Sequence, residues 1–218
     1  MASIEQSLSI GLAFWLGCAT VIASPARALP ELPSADLTGS AVSIEKLRGK
    51  VSIVILANQA SDQEATDVSR EIVMAMNPTP DRYAFALILD LQGIPDFARG
   101  LTMPIIENRL EQSNRDIIER LQKTGQTFQP PLRLGLPDWS GEATRAWLQS
   151  IPDPDYAIFR QQSAGLSRFN REKLQRDQQR LKSQVQVFVL DPALNLKAHF
   201  SGRLAGARAI EAMRTLAG

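Results

Sequence analysis

The fold is decided by the stretch Val51-Ser52-Ile53-Val54-Ile55-Leu56-Ala57. Nearly all of its residues are apolar and most of these are β-branched, a composition typical of a β-strand buried on both faces. Strands of this kind occur in sheets that helices cover on both sides. We therefore expect a sheet with a helical layer on each face.

Helices and strands are predicted to alternate after this strand. Ser61-Asp62-Gln63-Glu64 has the form of a capping box, in which the hydroxyl and the carboxylate each satisfy a free amide of a helix's first turn. The helix that it begins is predicted to end before Pro78. Further elements are predicted as follows: a buried strand at Tyr83–Leu89, a helix from Pro104 to about Gly125, a strand at Leu132–Leu136 that ends at Pro137-Asp138, and a short helix at Glu142–Leu148.

The C-terminal part is predicted to be a β-hairpin followed by a helix. Its strands are Val185–Leu190 and Leu196–Ser201, joined by a turn at Asp191–Asn195, and the helix covers Ala205–Leu216. Together with the preceding elements this order predicts an α/β fold, a mixed sheet flanked by helices, in one domain over residues 29–218.

Residues 1–28 are predicted to be a secretory signal. Leu8–Ala23 is uncharged and mostly apolar, and Ala26-Arg27-Ala28 has the small-x-small form that signal peptidase cleaves. We expect cleavage after Ala28 and a periplasmic or otherwise exported domain. The alternative is lipidation at Cys18, although Trp15 stands where lipoprotein signals favour an aliphatic residue. Contact with the membrane is expected only through an uncleaved signal or that lipid.

Composition excludes several function classes. The chain has 218 residues, with 24 Lys and Arg against 23 Asp and Glu, so the net charge of +1 gives no electrostatic footprint for nucleic acid. One cysteine and one histidine cannot build a Cys/His zinc site, a disulfide framework or a CxxC centre. We predict no cofactor and no metal, and cleavage after Ala28 would leave a chain without thiol chemistry.

Several segments, in this order and spacing, resemble the thioredoxin-like superfamily. They are Asp36-Leu37-Thr38-Gly39, Val42–Lys50 before the first buried strand, Asp138-Trp139-Ser140-Gly141, and Phe188-Val189-Leu190-Asp191. The resemblance is to the exported branch with TlpA-type and alkyl-hydroperoxide-reductase-type domains. Pro80-Asp81-Arg82-Tyr83 and Gly93-Ile94-Pro95 are similar to segments of periplasmic YtfJ-type proteins within it. The resemblance implies a thioredoxin-like mixed sheet.

The resemblance also implies that the redox centre is lost. The CxxC of active members would fall on Ser61-Asp62-Gln63-Glu64, so Ser61 and Glu64 stand at the two cysteine positions. The cis-proline that faces this centre in the family would align near Val185. Thiol-disulfide oxidoreductase or peroxidase activity is therefore not expected.

Other chemistry at these positions was weighed against structural roles. Ser61 would need His199 as a base to act as a nucleophile. The favoured interpretations are a helix cap for Ser61 and a surface strand residue for His199. Asp62, Glu64 and Asp67 at a helix start complement the helix dipole, with divalent-metal binding as the alternative. Asp138 and Trp139 follow a strand end and form a candidate ligand face, although Trp139 and Trp147 are more often packing residues.

Residues 151–184 are predicted to be a basic helical insertion, because typical superfamily members connect the preceding helix to the C-terminal hairpin in a few residues. Basic residues outnumber acidic residues in this segment, and from Asn170 to Gln184 only Leu174 and Leu181 are apolar. The segment is either a solvated insertion or a docking surface for an acidic partner or anionic lipid, with Tyr156, Ile158 and Phe159 as anchors. The candidate partner-binding residues are Arg168, Arg171, Lys173, Arg176, Arg180 and Lys182.

Two functions follow from these observations. The first, which we favour, is an exported, redox-inactive thioredoxin-like domain that binds a protein partner in the cell envelope. The second is a non-thiol enzyme or small-molecule-binding protein that uses Ser61, Glu64 and Asp138 at the vacated active-site face.

Overall fold

The computed structural model describes residues 29–77, 79–125, 131–161 and 164–217. The predicted signal at 1–28 and the alternative at Cys18 lie outside these residues. The strands are β1 (Val51–Asn58), β2 (Tyr83–Asp90), β3 (Leu132–Asp138), β4 (Gln186–Leu190) and β5 (Leu196–Ser201). The helices are α1 (Asp62–Met76), α2 (Asp96–Lys123), α3 (Glu142–Ser150), α4 (Arg168–Lys182) and α5 (Ala205–Ala217), with 3-10 turns at Ile44–Leu47 and Pro154–Phe159.

The strands form one sheet in the order β3-β2-β1-β4-β5. β1, β2 and β3 are parallel, whereas β4 runs antiparallel to β1 and β5 antiparallel to β4. This mixed sheet, flanked by helices and completed by a C-terminal hairpin and helix, confirms the predicted thioredoxin-like α/β fold class. β1 is the middle strand of the five, and it is buried on both faces, as its apolar sequence predicts.

Two hydrophobic layers cover the faces of the sheet, because successive side chains of β1 point in opposite directions. Ile53 and Ile55 pack in one layer with α1 and α5. Val54 and Leu56 pack in the other with Trp147, which is fully buried and meets the Phe188 ring edge-on at 5.0 Å. Trp147 is therefore a core residue, as predicted.

Helix α2 begins earlier than the sequence predicts. Its first residue is Asp96, and Pro104, predicted as the helix start, lies inside it. Proline is favoured in a first helical turn because it lacks the N–H that an interior residue donates, so its position suggested a start. The C-terminal half packs through the buried Ile117 and Leu121. Across the described ranges, no helix combines the length and the apolar character that a membrane span requires.

The insertion consists of the 3-10 turn at Pro154–Phe159 and helix α4. The Ser167 hydroxyl caps α4 by accepting a hydrogen bond from the Asn170 N–H at 3.3 Å. Leu174 and Leu181 are its buried residues, which confirms the narrow apolar stripe. Tyr156 and Phe159 are also buried. Both pack in the hydrophobic layer that contains Trp147, so they anchor the insertion to the domain, which is one of the two uses predicted for them.

Candidate functional site

Ser61 occupies the first degenerate cysteine position at the start of α1. Its hydroxyl accepts a hydrogen bond from the Asn58 N–H at 3.0 Å and lies 3.2 Å from the Asn58 Oδ1. No side-chain cap hydrogen bond is made at this helix start, so the predicted capping box does not form. Instead the hydroxyl turns back to the end of β1 and closes the strand-to-helix turn.

Glu64 occupies the second cysteine position and contacts the residue at the missing cis-proline position. Its Oε2 accepts a hydrogen bond from the Val185 N–H at 3.1 Å. Val185 is fully buried directly before β4, and every described peptide bond is trans. Two positions that the resemblance assigned separately to the redox centre are thus joined by one internal hydrogen bond.

The end of α4 covers the adjoining strand ends. The Lys182 ammonium group lies 3.3 Å from the Asp90 carboxylate, with side-chain exposures of 17% and 9%. The Asn58 amide donates to the Lys182 carbonyl at 2.8 Å. Lys182 was predicted to bind a partner at the surface, and this prediction is wrong, because the side chain turns inward to neutralise the carboxylate at the end of β2.

Little space remains at this face. The cavity among Asn58, Asp90, Thr144 and Lys182 has a volume of about 10 Å³, which is room for roughly one water. The Thr144 hydroxyl is buried there without a protein partner. A substrate of even a few atoms does not fit beneath α4 in this arrangement.

Asp138 is held by helix α3. It is buried, and its carboxylate accepts hydrogen bonds from the Gly141 N–H at 2.9 Å and the Thr144 N–H at 2.7 Å. These are free amides of the first turn of α3, so Asp138 acts as a cap. Trp139 is half-buried beside it, with the Arg99 guanidinium 5.0 Å from its ring centroid.

Asp138 and Trp139 both line an open cleft of about 830 Å³. The cleft lies between the N-terminal segment 31–39, the first half of α2 and the start of α3. Neither Ser61 nor Glu64 is among its lining residues. The structure therefore does not bring Ser61, Glu64 and Asp138 into one pocket.

His199 is partly buried instead of exposed at the surface, so the surface prediction is wrong. Its ring packs against Tyr156 and Phe188 at centroid distances of 5.0 and 4.9 Å. Burial lowers the pKa of His199 to about 4, against a weak opposing effect of Asp153. Because side chains alternate along β5, His199 lies on the face of the sheet opposite to that of Ala198 and Phe200. The insertion covers the face on which His199 lies.

A buried polar network links the insertion to the sheet, and sequence patterns did not indicate it. The Gln186 Oε1 accepts from the Tyr156 hydroxyl at 2.7 Å and lies 2.9 Å from the His199 Nε2. The Gln186 amide donates to the Leu181 carbonyl at 2.8 Å. Burial raises the pKa of Tyr156. His199 is engaged here and Ser61 at Asn58, so the two form no nucleophile–base pair.

The acidic residues near the start of α1 have separate partners. Asp62 pairs with Arg109 of α2. Asp67 pairs with Arg70 at 3.1 Å, and Glu64 contacts Val185. The three carboxylates therefore do not converge on a shared position for a metal ion.

Helix α4 presents a basic face to solvent. Phe169, Lys173, Arg176 and Arg180 are exposed and follow one another at intervals of four, three and four residues, which places them on one stripe of the helix. Phe169 is 68% exposed. Lys173 pairs with Asp177 at 3.2 Å and Arg168 with Glu172 at 2.9 Å. Arg171 donates to the Leu166 carbonyl at the helix start.

No family model matches the chain, and no curated protein matches it either. Solved structures with a similar chain trace are thioredoxin-family proteins. A thiol:disulfide interchange protein from Chlorobium tepidum is 15% identical over 87% of this chain and 95% of its own, with a TM-score of 0.47. Copper-bound ScoI from Bradyrhizobium japonicum is 13% identical over 87% of this chain and 99% of its own, with a TM-score of 0.44. These similarities concern the chain trace and transfer no activity.

Proposed function

We propose that this protein is an exported, redox-inactive thioredoxin-like domain that binds a protein partner in the cell envelope. The observation that carries the proposal is the hydrogen bond between the Glu64 carboxylate and the Val185 N–H. It joins the positions at which the resemblance places a thiol and a cis-proline. A site held closed by its own side chains favours a binding role elsewhere on the domain over chemistry at this face.

The number of cysteines in the chain supports the loss of redox activity. Reduction of a disulfide by a CxxC site uses an attacking thiol and a second thiol that resolves the mixed disulfide. The sequence has one cysteine, Cys18, and it lies in the predicted signal. Insulin reduction at the rate of buffer alone is the expected result, and reduction above that rate would contradict this part of the proposal.

The exposed stripe of α4 is the proposed docking surface. Arg176 and Arg180 follow Phe169 along the same stripe of α4, so an acidic segment with an apolar side chain would find complementary groups there. A lipid surface is less well matched, because an interfacial helix needs a broad apolar face. The inward Leu174 and Leu181 are already used for packing.

The experiment compares two variants with the same change in charge. Lys173→Glu/Arg176→Glu/Arg180→Glu reverses three exposed residues of the α4 stripe, and Arg203→Glu/Arg208→Glu/Arg214→Glu reverses three exposed residues in and beside α5. Deleting α4 is unsuitable, since it would remove the buried Leu174 and Leu181. Each variant is first checked for a native circular dichroism spectrum.

Partners are captured from the cell envelope by crosslinking, and the strongest is purified and titrated. We expect the α4 variant to bind it at least tenfold more weakly than the parent, with the α5 variant unchanged. Affinity should also fall as salt is added, because the contacts are charged. Equal binding by both variants, or a partner that is insensitive to salt, would place the binding surface elsewhere.

A further inference from the structure

A small cavity lies where the end of α4 meets the sheet. Its volume of about 10 Å³ is close to the space that one water requires. Residues from β1, β2, α3 and α4 line it, among them Asn58, Asp90, Thr144 and Lys182. None of its lining residues belongs to the exposed stripe of α4. An inference about this cavity therefore stands or falls apart from the proposed partner.

Thr144 is the residue of this cavity that packing alone does not explain. It is 4% exposed, and its backbone N–H donates to Asp138 at 2.7 Å. Within the described part of the chain, its hydroxyl has no hydrogen-bond partner. A buried hydroxyl without a partner destabilises a protein, whereas valine would fill nearly the same space without that cost. The other buried residues of α3, Trp147 and Leu148, are apolar. A ligand that bonds the hydroxyl is a physical reason for threonine at this position.

The ion pair beside the cavity also has hydrogen-bonding capacity to spare. The Lys182 ammonium group has three N–H donors, and among the described residues its contact is the Asp90 carboxylate at 3.3 Å. Charge-assisted hydrogen bonds are usually shorter, at about 2.7–2.9 Å. A carboxylate can accept about four hydrogen bonds. That of Asp90 accepts from Lys182 and from the Gln92 N–H at 3.1 Å. A largely buried ion pair is stable only when further hydrogen bonds satisfy both groups.

The charges around the cavity decide which ligand fits it. The Lys182 ammonium group would repel a cation, and the Asp90 carboxylate would repel an anion. An apolar ligand would leave the Thr144 hydroxyl and the ion pair without further hydrogen bonds. The ligand must therefore be neutral, as small as the cavity, and able both to donate and to accept. Water has all of these properties.

We propose that this cavity binds one ordered water that bridges the Thr144 hydroxyl to the ion pair of Asp90 and Lys182. The water accepts a hydrogen bond from the ammonium group, donates one to the carboxylate, and shares a third with the hydroxyl. It thereby connects α3 and α4 to the end of β2, and a hydrated ion pair closes the vacated active-site face. Thr144 is a positioning residue, because it acts on the ion pair through the water.

The direct test is a crystal structure of the protein at a resolution that shows ordered waters. We expect one solvent peak within hydrogen-bond distance of the Thr144 hydroxyl and of Asp90 or Lys182. A cavity without a peak, or a peak that does not reach the Thr144 hydroxyl, would overturn the proposal. A peak with the short contacts and the many oxygen ligands of a metal ion would overturn it as well.

Thr144→Val tests the bridge in solution. If the hydroxyl simply lacked a partner, its removal would raise the urea midpoint of unfolding. Because we infer that the hydroxyl holds the water, we expect the midpoint to fall. The matched control is Thr66→Val, a half-buried threonine of α1 whose hydroxyl donates to the Asp62 carbonyl of its own helix at 3.0 Å. The control should shift the midpoint by less than half as much. A midpoint that rises in Thr144→Val, or that falls equally in both variants, contradicts the proposal.

The link to the ion pair is tested by combining substitutions. In the Lys182→Met/Asp90→Asn background the water has lost its charged partners. There Thr144→Val should shift the urea midpoint by less than half of its shift in the parent, whereas Thr66→Val should shift it equally in both backgrounds. If Thr144→Val has the same effect in both, the hydroxyl and the ion pair share no water and the bridge is refuted.

Discussion

Glu64 and Val185 are 121 positions apart in sequence and are joined by a hydrogen bond of 3.1 Å from the Val185 N–H to the Glu64 carboxylate. The bond connects the start of α1 to the residue that precedes β4, next to the centre of the sheet. It satisfies a backbone donor whose residue is fully buried. Such a donor would otherwise be costly to the fold.

Glu64→Ala is expected to destabilise the protein by about 2 kcal/mol, because it leaves the Val185 N–H without a partner. Glu64→Gln keeps an acceptor oxygen at the same place, so it should cost less than half as much. Urea denaturation of the two variants and the parent measures the difference. A Glu64→Ala variant as stable as Glu64→Gln would show that this bond contributes nothing.

Stability is expected to fall between pH 7 and pH 4 through His199. Its pKa is about 4 in the folded protein because of burial, whereas an unfolded chain has the ordinary value of 6.5. As the pH falls, the unfolded state therefore binds the proton first. The stabilisation that comes from neutral His199 is complete above pH 6.5 and is lost as the pH falls from 6.5 through 4. The shift corresponds to a loss of about 3 kcal/mol over this range.

His199→Gln separates this effect from the titration of carboxylates. The variant should show a dependence on pH that is shallower between pH 6.5 and 4, whatever its stability at pH 7. Asp191 provides an internal reference. Burial tends to raise the pKa of its carboxyl group, but hydrogen bonds from Asn195 outweigh burial and lower this pKa to about 2. Its contribution is present above pH 3.8 and is lost below that value in both proteins. Parallel curves from pH 6.5 to 4 would contradict the assignment.

Lys182→Met is expected to destabilise the protein by about 2 kcal/mol, since it leaves the largely buried Asp90 carboxylate without this positive partner. The double variant Lys182→Met/Asp90→Asn removes both charges and should recover part of that loss. Thermal or urea unfolding of both singles and the double gives the coupling energy. Additive effects would mean that the two groups do not interact.

Asp138→Ala is expected to cost about 2 kcal/mol because two amides of the first turn of α3 lose their acceptor. Asp138→Asn keeps one acceptor oxygen and should cost about half. Glu142→Gln is the control, an exposed residue of the same turn whose stability effect should stay within about 0.5 kcal/mol. If Asp138→Ala unfolds at the same urea concentration as the control, the capping role is refuted.

Local sequence patterns predicted most of the secondary structure. The apolar runs of β1 and β2, the alternating leucines of β3 and the C-terminal hairpin and helix were found at nearly their observed bounds. These signals succeed because burial of both faces of a strand, or of one stripe of a helix, is recorded residue by residue along the chain. The start of α2 was missed, since Pro104 resembles a first-turn proline.

The candidate site was predicted only in part. The sequence indicated Ser61, Glu64 and Val185 as the degenerate redox positions. Asp138 and Trp139, the candidate ligand face, line the cleft, and ligand binding there stays a prediction. The sequence assigned Ser61 to a cap that does not form and His199 to the surface. Both errors have one origin, because a polar side chain bonds whichever group the rest of the fold places beside it.

By itself, the sequence determined the class of fold and the lack of a thiol pair, since hydrophobic periodicity and residue types are local properties. The tertiary structure alone decided where the polar groups go. Glu64 with Val185 and Lys182 with Asp90 join residues 121 and 92 positions apart. Contacts at such separations depend on how the helices pack over the sheet, and the periodicity of a single segment carries no information about that packing.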